Sequence, residues 1–224
     1  MFRLLVSQNL IMDKSLQEFD DQLSIASKYF PNLRVKTKEG HKILKGIIDI
    51  ENSEHQQVQS FLIEIHYSTG FPYRFPRLYE VGGDIPCDVD WHKYDDNSCC
   101  LTVLPDEILQ CKNGITVTQF INKNVIPYLA NQCYKKLTGR YKDEFPHGKE
   151  GLIVYYKELM LTQDQNKWMQ YAKYAFGVEK LKTGRNEPCI CGSGMKMKKC
   201  HSVVFQKLQQ IGENNVMKHL SILL

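Results

Sequence analysis

Apolar positions along the chain change their period several times, and each change marks an element. Leu16, Phe19, Leu23, Ala26 and Phe30 recur at helical spacing. Ser15 with Glu18 reads as a capping box, and Pro31-Asn32 as a stop, so a helix is expected over 15–29. The period then falls to two. Strands are expected at 33–37 and 43–50 around a Glu39-Gly40-His41 turn. In a third strand Phe61, Ile63, Ile65 and Tyr67 alternate with Leu62, Glu64 and His66, giving one buried face. Pro72 and Pro76 interrupt before a fourth short strand at 78–81. From Gly82 to Gly114 no regular element is expected, and a loop this long is usually functional.

Helical spacing returns at 117–136, where Val117, Phe120, Ile121, Val125, Tyr128, Leu129 and Cys133 form one stripe that Pro127 should kink. Further helices are expected near 152–160 and 168–178. A closing amphipathic helix runs through Val204, Leu208, Ile211, Val216, Leu220 and Leu223, weakened in its middle by Gly212. One helix, about four antiparallel strands, a loop and several helices make an α+β chain.

Composition narrows the class. With 224 residues there is room for one domain and an appendage, and 42% hydrophobic with 24% charged residues is globular. A formal net charge of +4 with interspersed signs gives no reason to expect a nucleic-acid partner. No stretch has the roughly 18 apolar residues of a membrane span. Ser7, Gln8 and Asn9 interrupt the apolar amino end before it reaches signal-peptide length, so a cytoplasmic protein is expected. In such a compartment the eight cysteines point to metal binding or catalysis ahead of disulfides. Cys87, Cys111 and Cys133 are scattered and read as small hydrophobes.

Cys189, Cys191, Cys200 and His201 supply three thiols and one imidazole, a full tetrahedral set for zinc. Eight residues separate Cys191 from Cys200, enough for one tight loop. Gly192 and Gly194 permit its turns, and Lys196, Lys198 and Lys199 offset the thiolate charge. Four ligands leave no open position, so the site is expected to be structural. The run from Arg185-Asn186-Glu187-Pro188 through His201 resembles the SEC-C metal-binding motif. That resemblance implies a small docking tail.

Cys99 and Cys100 lie in a polar segment after His92, where a cysteine is a candidate nucleophile. Neighbouring side chains in extended backbone point opposite ways, so the two thiols should not share a role. His92 is a candidate oxyanion donor or proton acceptor, or else a loop-backbone partner. Asp106 and Glu107 could orient an incoming amine, or form a solvated face. The chain contains no Walker-type phosphate loop or dinucleotide fingerprint, so it is not expected to adenylate a carboxyl group itself.

The order of elements resembles the ubiquitin-conjugating-enzyme (UBC) fold. So do Gly70 to Pro76, similar to that family's Pro-rich turn, and His92 to Leu101, similar to its bacterial active-site segment. Residues 134–155, with Gly139 and His147 to Gly151, are similar to the branch found in antiphage-defence (CBASS-type) operons. The family's Cys-Leu pairing implies Cys100 as the nucleophile, with Cys99 in the hydrophobic position before it. Eukaryotic members carry His-Pro-Asn ten residues before the cysteine. Here Asp90 stands at that point and His92 is the nearest substitute.

The resemblance implies a thioester carrier that passes a protein's C-terminal carboxyl group to a lysine. The donor would be a ubiquitin-like protein or a cGAS-like nucleotide synthase, charged by an activating enzyme in trans or supplied pre-activated. The expected domains are 1–160, UBC-like; 161–184, a helical connector; and 185–224, the zinc knuckle with its closing helix. A non-catalytic binding module of the same fold is the alternative. A cysteine hydrolase lacks support, since the residues after Cys100 do not open a strong helix.

Overall fold

The computed structural model describes residues 2–142 and 148–224, with side chains from residue 14 onward. The chain is α+β and divides into two compact units, 1–102 with 110–144, and 103–109 with 145–224. His147 lies outside the described residues.

The first unit opens with α1 (Phe2–Tyr29), longer than the expected helix. Ser15 is therefore inside the helix and caps nothing. Its hydroxyl donates to the Phe71 carbonyl and accepts from Tyr67 Oη at 3.1 Å. Strands β1 (Leu33–Lys38), β2 (His41–Glu51), β3 (Gln57–His66) and β4 (Arg77–Glu80) form an antiparallel sheet in sequence order. Lys38 pairs with His41, leaving Glu39-Gly40 as a two-residue turn with positive φ at both positions. Gly46 faces Leu33 where the strands crowd the preceding loop: a Cβ there would meet the Asn32 carbonyl oxygen at 2.0 Å.

Phe61, Ile63 and Ile65 are buried on one face, as their alternation predicts. They join Phe19, Leu23 and Ala26 of α1, and Leu44, Ile48 and Ile50 of β2, in one core. The same core takes Val117, Phe120, Ile121, Val125, Leu129 and Cys133 from α3 (Val117–Phe120), a π-helical turn (Ile121–Val125) and α4 (Ile126–Thr138). The π turn stands where a kink was expected. Pro127 has no N–H for an ordinary helical bond, and the Ile126 N–H reaches back five residues to the Ile121 carbonyl.

Residues 82–114 are not devoid of regular structure. A 3₁₀ turn forms at Val89–Trp91, and α2 covers Leu104–Cys111. Pro105 sits in the first turn of α2, where no N–H is needed. Asp106 and Glu107 complement the helix dipole in that turn.

The second unit contains α5 (Gly148–Leu159), α6 (Gln165–Ala175), α7 (His201–Ile211) and α8 (Glu213–Leu223). Asp164 caps α6, its carboxylate accepting from the Asn166 N–H. The expected single closing helix is two, because Gly212 takes φ 92°, which ends α7. Tyr156, Leu159, Met160, Trp168, Tyr171, Leu208, Val216 and Leu220 share one core with Cys189, Met197 and Cys200. The expected division at 160 and 185 therefore gives way to one near 144. The helices before the knuckle bury their apolar faces with it, so they are neither part of the sheet unit nor a free connector. No helix among the described residues is long and apolar enough to cross a membrane.

Candidate functional site

Two places gather reactive side chains, and each belongs to one unit.

In the second unit a small hairpin presents the metal-type ligands. Pro188 bridges Lys196, the Cys189 N–H donates to the Met195 carbonyl at 2.7 Å, and the Met197 N–H donates to the Glu187 carbonyl at 2.9 Å. Glu187 also accepts from the Gly184 N–H at 2.7 Å, which gives the residues before the cysteines a structural task. Gly192 and Gly194 take φ of 79° and 74°, the left-handed turns that the loop requires. A 3₁₀ turn at Met197–Lys199 then delivers Cys200, and His201 begins α7.

The three Sγ atoms and one imidazole nitrogen lie within 4.8 Å of one another. His201 Nδ1 is 3.2 Å from both Cys189 Sγ and Cys200 Sγ, and Cys191 Sγ is 3.6 Å from Cys200 Sγ. An ion at about 2.3 Å from sulfur and about 2.0 Å from nitrogen sets tetrahedral edges of roughly 3.5–3.8 Å. The cluster fits that size, and its donors could hold a metal ion.

The far side of the imidazole fixes its tautomer. His201 Nε2 lies 3.1 Å from the Met160 carbonyl, which accepts its proton and leaves the Nδ1 lone pair toward the thiols. Burial pushes the His201 pKa down, keeping the ring neutral as a ligand must be. Tyr171 packs edge-on against it with centroids 4.5 Å apart. Burial would raise the Cys191 thiol, but hydrogen bonds with Ser193, Cys189 and Cys200 together outweigh it and hold the thiol at about 7. Burial pushes Cys200 up to about 11. Sequence reasoning found the four donors and missed Met160 and Tyr171, whose roles depend on how α5 and α6 pack.

In the first unit the cysteine pair ends a tight hairpin. Lys93 bridges Cys99, the Tyr94 N–H donates to the Ser98 carbonyl at 2.9 Å, and the Cys100 N–H donates to the His92 carbonyl at 2.7 Å. His92 and Asn97 take positive φ of 53° and 65° to make the bends. Alternation sends Lys93 and Cys99 inward and leaves Cys100 half-buried. The two thiols thus occupy different environments. Burial raises Cys99 to about 11. Burial also raises Cys100, against a hydrogen bond from Tyr94 that works to lower it.

Below the hairpin, Lys93 Nζ donates to the carbonyls of Glu80 and Ile85 at 3.3 and 3.4 Å, with Glu80 Oε2 at 3.9 Å. Glu80 accepts in turn from the N–H groups of Gly82 and Ile85 at 2.7 and 3.1 Å. This buried pair is hydrogen-bonded throughout, as burial of charge demands.

From the other side α4 holds the loop by its carbonyls. Tyr128 Oη donates to the His92 carbonyl at 3.2 Å, Gln132 Nε2 to the Trp91 carbonyl at 3.1 Å, and Lys135 Nζ to the Asp90 carbonyl. Positions 128, 132 and 135 follow one another along a helix face, so successive turns meet successive carbonyls. Tyr141 adds bonds to Gln132 Oε1 at 3.3 Å and to the Asp90 carbonyl at 3.2 Å. The His92 ring packs edge-on against Tyr141, centroids 4.7 Å apart. In contact with the Cys100 sulfur is Tyr94 Oη, at 3.1 Å. No spacing rule singles Tyr94 out, because the contact exists only once the hairpin has folded.

His66 and His219, outside both clusters, have partners of their own. His66 Nε2 lies 2.8 Å from Glu64 Oε2, and buried His219 Nδ1 lies 2.9 Å from Tyr156 Oη.

Comparison with known proteins bears on the second unit's cluster. The SEC-C motif model matches residues 185–202. The chain is 34% identical over 82 residues to protein translocase subunit SecA of Ruthia magnifica subsp. Calyptogena magnifica, covering 36% of this chain and 9% of that protein. It is 32% identical over 101 residues to a UPF0225 protein of Photorhabdus laumondii, 41% of this chain and 59% of the relative. A UPF0225 protein of Vibrio vulnificus is 74% identical over 23 residues, 10% of this chain and 14% of the relative. The chain thus spans less than two-thirds of the length of each of these relatives. No solved structure matches it.

Proposed function

We propose that the first unit is a UBC-like acyl carrier whose Cys100 holds a protein's C-terminal carboxyl group as a thioester and yields it to a lysine amine. The observation that carries this reading is the cysteine hairpin. A half-buried Cys100 stands at the exposed end of a loop whose carbonyls are tied to α4, while its neighbour Cys99 is in the core. The order of helix, four-stranded meander, loop and helix fits the same reading.

The direction of the Cys100 shift favours carriage over hydrolysis. A cysteine hydrolase needs its thiol lowered toward neutrality, and burial here works the other way. A helix does begin four residues after Cys100, with Asp106 and Glu107 in its first turn. Activation of the carboxyl group falls to another protein. A ubiquitin-like protein or a cGAS-like nucleotide synthase would be the acyl donor, and antiphage defence the setting. In the second unit Cys189, Cys191, Cys200 and His201 would hold zinc, which would supply a structural crosslink between the hairpin and the start of α7, and the hairpin would serve to dock a partner.

The test is acylation from a glycine-terminated peptide thioester, followed by mass spectrometry. Wild type is expected to form a reductant-sensitive adduct at Cys100. Cys99→Ala should keep it, Cys100→Ala should lose it, and Cys100→Ser should give a reductant-resistant oxyester. His92→Ala should load but transfer more slowly, by roughly a hundredfold if His92 is an oxyanion donor. An adduct on Cys99 would move the nucleophile by one residue. No adduct on either cysteine would leave the unit a binding module.

A further inference from the structure

The polar group touching the Cys100 sulfur is the phenol of Tyr94, a residue to which the family resemblance assigns no role. Its Oη is 3.1 Å from Sγ, within range for an O–H···S bond. Tyr94 is 52% exposed, so the contact lies at the mouth of the site where an acyl donor and an amine must both arrive. The hairpin holds it there at two points: the Tyr94 N–H donates to the Ser98 carbonyl at 2.9 Å, and the Asn97 N–H donates to the Tyr94 carbonyl at 2.8 Å. Lys93, next in the chain, is locked beneath by Glu80, so the backbone that carries the phenol is anchored.

We propose that Tyr94 is a catalytic residue of the acyl transfer, donating its hydroxyl hydrogen bond to the Cys100 sulfur whenever that sulfur carries negative charge. The inference rests on the reading of Cys100 as an acyl carrier. In loading, the thiol loses its proton and Sγ attacks the donor thioester carbonyl. A new C–S bond forms, the donor's C–S bond breaks, and the proton leaves with the departing thiol. In transfer, an amine attacks, a C–N bond forms, the Cys100 C–S bond breaks, and the proton lost by nitrogen ends on Sγ. Charge develops on the same sulfur in both steps, and one hydroxyl serves both. The hydrogen bond also opposes the rise that burial imposes on this thiol, so removing it should raise the thiol pKa further.

This role differs from that expected of His92, an oxyanion donor that acts on the carbonyl oxygen. Loss of an oxyanion donor would leave the thiol's own ionisation unchanged. Loss of a sulfur donor would not.

The experiment uses full-length Tyr94→Phe, which keeps the ring and removes the hydroxyl. Cys100 alkylation by iodoacetamide, followed by peptide mass spectrometry across pH, reads the thiol directly and requires no acyl chemistry. The pH profile is expected to move upward by about half a unit or more. Loading from the glycine-terminated peptide thioester, and release of the loaded acyl group to free lysine, should each slow by roughly tenfold or more. The melting temperature should stay within a degree or two of wild type, separating the effect from a disturbed fold.

Tyr94→Phe profiles and rates that overlay wild type, in a protein that does form the thioester, overturn this proposal and leave the acyl-carrier reading standing. Absence of any acyl adduct on wild-type Cys100 ends both. A variant that loads normally but transfers slowly, with an unmoved alkylation profile, also overturns it, because the hydroxyl would then act on the carbonyl oxygen.

Discussion

The two units handle reactive groups in opposite ways. In the first, only Cys99 enters the apolar core of Phe19, Leu23, Phe61, Ile63, Ile65 and Phe120, while Cys100 stands half-buried at its edge on a hairpin held by hydrogen bonds. In the second, the reactive groups are inside the core. Cys189, Cys200 and His201 are all less than 5% exposed and stand among Met160, Tyr171, Met197 and Phe205. A site at the edge of a finished core can change its chemistry without unfolding the protein. A site inside the core cannot, because the thiols of Cys189 and Cys200 and the His201 imidazole, left without an ion, are buried polar groups with poor partners.

Removing the metal is the strongest way to break this contrast. Chelation, or the double variant Cys189→Ser with Cys200→Ser, should abolish metal binding and unfold α5 to α8. The metal contribution to zinc-finger peptides, on the order of 10–16 kcal/mol, sets the upper scale. Hydrogen exchange would be followed by mass spectrometry. Protection is expected to be lost over 148–224 and kept in β2 and β3. Equal protection in the second unit with and without metal would mean that its helices hold together unaided and the two units differ less than proposed.

A smaller effect sharpens the comparison from the side of the first unit, where burial of charge is answered by protein groups alone. Glu64 sits on the outer face of the sheet, 4% exposed, with Lys38 and Lys45 at 2.8 and 2.9 Å and His66 at 2.8 Å. Burial alone would raise its pKa, but these partners outweigh burial and hold the carboxyl at about 2. Its folded value is thus below the unfolded value of 4.5. Its contribution is complete above about 4.5 and is lost as pH falls toward 2. Glu64→Gln should cost roughly 1–3 kcal/mol at neutral pH. It should also flatten the acid dependence of first-unit stability across that window. Denaturant melts at several pH values, read by exchange in β3, would check both. An unchanged acid slope would mean that the carboxylate is not the group being titrated.

How much of this was legible in the sequence follows from how local each signal is. Phe61, Ile63 and Ile65 declared their strand because period-two burial needs no distant information. Cys189, Cys191, Cys200 and His201 declared themselves because metal ligands at short spacing carry their geometry with them. The helix at 104–111 was not expected, because a proline such as Pro105 both breaks helices and begins them, and only the neighbouring helix face decides which. Gly212 was read as a weak point and proved an end, since its positive φ is invisible until the backbone is seen. The boundary near 160 failed for a more general reason. The apolar residues of α5 and α6 have the right period for any core, and periodicity does not say which core they enter.

The smallest expected effect concerns a helix start and tests the same limit on reading local strings. Among the chain's Ser/Thr-x-x-Glu/Gln strings, two concern helices of the first unit, Ser15 to Glu18 and Thr116 to Gln119. The first, which the pattern favoured, is interior to α1, where Ser15 bonds to Phe71 and Tyr67. The second is the working box. The Gln119 N–H donates to Thr116 Oγ1 at 3.1 Å, and the Thr116 N–H donates to Gln119 Oε1 at 3.1 Å. Gln22 of α1 adds a third bond, its Oε1 accepting from the Val117 N–H at 2.7 Å. Thr116→Ala should therefore cost about 1 kcal/mol, and Thr116→Ser close to nothing. Because α3 leads through the π turn into α4, whose side chains hold the carbonyls of residues 90–92, fraying should be detectable as faster exchange at Val117 to Phe120 before it reaches the cysteine hairpin. Calorimetry combined with residue-level exchange would measure it. Should Thr116→Ala leave both unchanged, Gln22 alone is sufficient to start the helix, and the box adds nothing to the first unit's stability.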